Sequence, residues 1–87
     1  MSGIEVWRNG KRLFVAGLEN GLLDVRFLIP NHTDPMWFDA VGRDRNTGGH
    51  VQWAHDPINQ GDEFILKVVD LALVPTSPAP TTHPPKL

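Results

Sequence analysis

Gly61-Asp62-Glu63-Phe64-Ile65-Leu66-Lys67-Val68-Val69-Asp70-Leu71-Ala72-Leu73-Val74 is the longest apolar run in the chain, and it opens at a turn signal, Asn59-Gln60-Gly61-Asp62. Its β-branched and aromatic residues favour strand over helix. In an extended chain Phe64, Leu66 and Val68 point to one side, and Ile65, Val69, Leu71 and Leu73 to the other. Lys67 and Asp70 alone interrupt two apolar faces, which predicts a central strand covered on both sides. Pro75 ends the run.

Upstream, Ile4-Glu5-Val6-Trp7-Arg8 alternates apolar and polar residues and meets Asn9-Gly10, a pair that tolerates the positive φ of a type I′ turn. Residues 11–16 form the returning strand of this predicted hairpin. After a turn at 17–21, residues 22–29 alternate again, with Leu23, Val25, Phe27 and Ile29 inward and Asp24 and Arg26 outward. Leu22, Leu23 and Arg26 also suit a helix, so a short helix within 18–28 competes with this strand. Pro30 closes the run after eight residues, which favours the strand. Met36 to Val41 reads as a fourth strand, residues 42–49 as a glycine-rich charged connection, and His50 to His55 as a fifth strand ended by Asp56-Pro57. Short strands with turns every eight to twelve residues predict an antiparallel all-β fold. It is either a small sandwich or a partly open barrel of about six strands.

Residues 1–74 make one domain, and its core is of marginal size for the length. The chain has 87 residues and no cysteine, so stability rests on packing or self-association. Residues 75–87 hold five of the eight prolines among small polar residues, which predicts a disordered, extended tail. Its Pro75-Thr76-Ser77-Pro78 lacks an arginine to orient it in a recognition groove.

His50-Val51-x-Trp53, a spacer, and then Gly61-Asp62-Glu63-Phe64-x-Leu66-x-Val68-Val69-Asp70 form a spaced pattern, joined by Asn9-Gly10 and Ala16-Gly17. Over residues 4–71 this resembles small uncharacterised bacterial proteins that end in a tryptophan segment followed by a Gly-Asp-Glu strand. The resemblance implies a β fold and a bacterial origin, and it transfers no site residues.

The net charge is −2, and −3 once Lys86 of the tail is set aside. That balance opposes nucleic-acid binding, although Arg43, Arg45, Trp37 and Trp53 combine charge with stacking groups. The Arg43-Asp44-Arg45 alternation also cancels the local field. No membrane-length apolar run or secretion-signal layout appears, so the expected setting is cytoplasmic. No cofactor, nucleophile or phosphate-loop motif occurs, and no catalytic residue is assigned.

Two candidate functions remain. The first is a non-catalytic protein-interaction module, such as an accessory, inhibitor or immunity-type bacterial protein. Its unidentified protein partner would meet Trp53 and His55 together with Arg43 and Arg45 of the loop connection. The second is a small ligand-binding, metal-binding or hydrolytic domain using His50, His55 and Asp39. His32, Asp34 and Asp56 could add to a metal site, but known zinc spacings are not matched. Strand alternation separates positions 50 and 55 onto opposite faces unless the chain bends at Ala54. Asp39 shares the face of Trp37 and Val41, and is expected to pair with Arg26 or Arg43.

Overall fold

The computed structural model describes residues 1–31 and 34–79 together with the backbone of 81–83. Among the described residues seven strands follow in order: β1 (Ser2–Arg8), β2 (Lys11–Ala16), β3 (Gly21–Leu28), β4 (Met36–Asp44), β5 (His50–Ile58), β6 (Phe64–Asp70) and the short β7 (Thr81–His83). All pairings are antiparallel. One sheet runs β2-β1-β6 and the other β3-β4-β5-β7. The described residues contain no helix, so the competition within 18–28 is settled in favour of strand β3.

Asn9 and Gly10 have φ of 52° and 79°, the left-handed pair that a two-residue hairpin turn requires. Val6 from β1 and Phe14 and Ala16 from β2 meet Phe38 and Ala40 from β4 and Trp53, Ala54 and Ile58 from β5 in the core. The two sheets thus bury one face each against the other.

The longest apolar run does not form the central strand. β1 is paired on both sides, whereas β6 is the edge of its sheet. Val68 is 80% exposed and Ile65 55%, and only Phe64 and Val69 are half-buried. An apolar composition on two faces indicates affinity for cover, and within this chain only Phe64 and Val69 of β6 receive any. Strands β4 and β5 also run further than their apolar residues suggest, to Asp44 and Ile58. Pro57 is accommodated near the end of β5, where β7, which pairs only with residues 50–52, does not reach.

Residues 75–79 dock on the domain, which moves its boundary beyond Val74 and corrects the expectation of disorder for these five residues. The Ser77 backbone N–H donates to the Val15 carbonyl (2.9 Å), and the Val15 N–H donates to Ser77 Oγ (2.9 Å). The Trp53 indole N–H donates to the Ser77 carbonyl (2.9 Å), and Ala79 packs on the core. Ser77 therefore bridges the free edge of β2 to the opposite sheet. The approach is close: a Cβ at Gly17 would lie 2.5 Å from Thr76 Oγ1 and 2.7 Å from Leu71. Of the rest of the tail, the backbone of 81–83 pairs with β5; positions 80 and 84–87 lie outside the described residues.

At the other end, the β1–β2 turn is clasped to the loop before β6. The Asn9 N–H donates to the Glu63 carbonyl (2.8 Å), and the Glu63 N–H to Asn9 Oδ1 (2.9 Å). Asp62 accepts from the Asn59 N–H (2.8 Å), the Asn9 amide (3.0 Å) and Arg8 Nη2 (2.7 Å). These donors, the Asn59 backbone first, hold its carboxyl at about 2 against the ordinary 3.8. The folded value lies below the unfolded one. The resulting stabilisation is therefore complete above the unfolded value and is lost as pH falls through about 2. The difference in urea midpoint between wild type and Asp62→Asn is expected to be constant above roughly pH 5 and to shrink from there toward about pH 2. A difference independent of pH over that interval would show that the carboxylate charge contributes nothing.

Candidate functional site

The outer face of the four-stranded sheet carries the polar constellation. Antiparallel register places residues of β3, β4 and β5 in rows across the sheet: Leu28-Trp37-Pro57, Arg26-Asp39-His55, Asp24-Val41-Gln52 and Leu22-Arg43-His50. Directly opposite side chains on one face lie close enough to interact.

Within the second row, Asp39 is the buried charged residue among the described residues, at 7% exposure. Its carboxylate meets His55 Nδ1 on one side and lies 3.8 Å from Arg26 Nη2 on the other. A buried carboxylate is costly unless paired, and both neighbours supply that compensation. Arg26 also reaches Asp24 (Nε to Oδ2, 3.3 Å). The His55 ring lies flat against Trp37, with centroids 4.7 Å apart and planes 9° from parallel. His55 is thus held by one bond and one stacked ring, while more than half of its side chain, 55%, remains exposed.

Two rows away, Arg43 Nε donates to His50 Nε2 (3.1 Å). Among the described residues Arg43 has no carboxylate within ion-pairing distance. A shallow depression of about 340 Å³ lies on this part of the face, lined among others by Asp24, Arg26, Arg43, His50 and Gln52.

His50 and His55 share this face although they are five residues apart. The register shifts between Ala40↔Ala54 and Val41↔Gln52, which leaves Trp53 as an extra residue in β5. Such a bulge inverts the alternation for the rest of the strand. It lies one residue before the bend at Ala54 that the alternation required. Trp53 itself turns inward, is 6% exposed and spends its indole N–H on Ser77. It is a core residue, which removes it from the expected contact surface.

Of the other candidates, Arg43 and His55 do lie on one face. Arg45 sits beyond β4 in the turn, its backbone N–H bonded to the Asn20 carbonyl (2.9 Å). Asp44 spends its carboxylate on the N–H groups of Asn46 and Thr47 in the same turn. Asp39 pairs with Arg26, one of its two expected partners. His32 lies outside the described residues. The described residues contain no group of three or more His, Asp or Glu able to hold a metal ion. Among them no helix is long and apolar enough to cross a membrane. Trp37 and Arg26 complete the cluster: Trp37 lies two residues before Asp39 on the same face of β4, and Arg26 is the cross-strand partner of Asp39 on β3. Comparison with family models, with curated proteins and with solved structures gave no match.

Proposed function

We propose that this chain is a non-catalytic protein-interaction module that works in the cytoplasm and recognises its partner with the outer face of the four-stranded sheet. The observation that carries the reading is the Trp37–His55 stack, fixed from below by Asp39 and flanked by Arg26. Planar groups held rigid before binding lose little entropy on contact, and Trp and Arg dominate interface energetics. Arg43, which has no carboxylate partner among the described residues and adjoins the depression, suits a carboxylate-bearing polypeptide segment. An accessory, inhibitor or immunity-type role fits such a surface, as does the absence of a nucleophile motif from the sequence.

A partner purified on the immobilised chain is expected to bind at least tenfold more weakly to Arg43→Ala and to His55→Ala. Each tenfold loss corresponds to about 1.4 kcal/mol. Arg43→Ala lies on an exposed face and should keep the melting temperature within about 2 °C, whereas His55→Ala also takes a partner from the buried Asp39 carboxylate and should lower it by several degrees while the chain stays folded. Undiminished binding by both variants would leave this face without a role.

One observation favours a second reading. A carboxylate bonded to Nδ1 orients an imidazole whose other nitrogen can take a proton from water. Hydrolysis of a small activated ester that vanishes in His55→Ala and drops in Asp39→Asn would support that reading over the first.

A further inference from the structure

We propose that two copies of this chain associate through the free edge of β6, joining their three-stranded sheets into one continuous sheet. This interface is separate from the outer face of the other sheet and does not rest on the function proposed for it.

The backbone pattern identifies which groups are available. The Leu71 N–H donates to the Met1 carbonyl and the Asn9 N–H to the Glu63 carbonyl, in register with the β1–β6 ladder. Antiparallel alternation then turns the N–H and C=O of Ile65, Lys67 and Val69 toward β1. Those of Phe64, Leu66 and Val68 face the open edge, and at its end the Asp70 carbonyl is already taken by the Leu73 and Val74 N–H groups (3.0 and 2.9 Å). The register of β6 with β1 has no shift, the strand contains no proline, and the Lys67 ammonium is folded over the Trp7 ring at 5.4 Å.

The surroundings of that edge are apolar. Phe27 of β3 meets Phe64 edge-on at 5.0 Å, which brings the free edges of both sheets to the same side of the molecule. Ile65, Leu66 and Val68 are exposed there, and so are Phe27, Leu28 and Ile29. The opposite side, between β2 and β5, is sealed by Ser77. Six exposed apolar side chains amount to several hundred Å², at or above what a monomer's surface usually shows. With the adjoining backbone and polar rim they approach the roughly 800 Å² per partner of a stable complex.

A second copy fits because an antiparallel edge is its own complement about a two-fold axis normal to the sheet. With Leu66 on that axis, Leu66 faces Leu66, Phe64 faces Val68 twice, and Ile65 faces Lys67. The register with Lys67 on the axis would oppose two ammonium groups, which disfavours it. At the ends of the Leu66 register Asp70 meets Asp62, whose charge is already matched by Arg8 at 2.7 Å.

The full chain is expected to sediment at twice its monomer mass in the tens-of-micromolar range, roughly the affinity of an interface of this size without a dominant anchor. Val68→Lys is expected to shift it to monomer with its circular dichroism unchanged, whereas Leu13→Lys on β2 leaves the dimer intact. The chain contains no cysteine, so Leu66→Cys places a single thiol on the axis and should cross-link into a disulfide dimer under mild oxidation. A wild type that is monomeric at all concentrations, or a dimer that survives Val68→Lys, overturns the proposal. If Val68→Lys fails to fold, the Leu66→Cys cross-link decides, and its absence in native buffer overturns the proposal equally.

Discussion

Phe38→Ala is expected to lower the unfolding free energy by about 3–5 kcal/mol, read as a displaced urea midpoint at unchanged slope. Phe38 is fully buried. Its ring lies 5.0 Å from that of Phe64 and 6.2 Å from that of Phe27, with the Arg8 guanidinium 5.9 Å from its centre. Truncation would empty the space where both sheets and the clasp converge, and two rings and a cation would lose their common neighbour. Small domains hold only about 5–15 kcal/mol in total, so the variant would lie close to the limit of folding. Val68→Ala makes the contrast. At 80% exposure it leaves no cavity, and in dilute monomer its midpoint should fall within about 0.5 kcal/mol of wild type. Equal losses at the two positions would place β6 in the interior after all.

That contrast also marks how far the sequence could be read. The Asn9-Gly10 hairpin was legible because only a few residue types accept the backbone its turn demands. Of the expected inward set, Leu23 and Val25 pack on the core and Phe27 meets Phe38 and Phe64, because strand alternation is strict wherever no residue is inserted, whereas Ile29 lies past the end of β3 and is exposed. β6 was misplaced because an apolar run on both faces reports what a strand would bury, not what the chain has available to cover it. The Asp39 row was half legible: its partner Arg26 follows from face and charge, but His55 joins them only through the inserted Trp53. The trace of that bulge in the sequence is the adjacent pair Trp53-Ala54, two inward residues in succession. Nothing in the residue types says which of the two is the extra one.

Removing everything after Val74 is expected to destabilise the domain by about 2–4 kcal/mol, a fall in melting temperature on the order of 10 °C or more for a chain of this size. Composition alone argues the reverse, since a proline-rich polar segment buries little surface. Its attachment comes mainly from hydrogen bonds at one residue. Ser77 uses its N–H, its hydroxyl and its carbonyl, holding both backbone groups of Val15 and the indole of Trp53. Without it, Trp53 and Val15, now 6% and 0% exposed, would open to water along the seam between the sheets. Ser77→Ala removes only the hydroxyl bond and should cost about 1 kcal/mol. A chain ending at Ala79 keeps all three bonds and should recover most of the loss. If truncation at Val74 moved the melting temperature by less than about 2 °C, the seam would be holding itself closed and Ser77 would be a passenger.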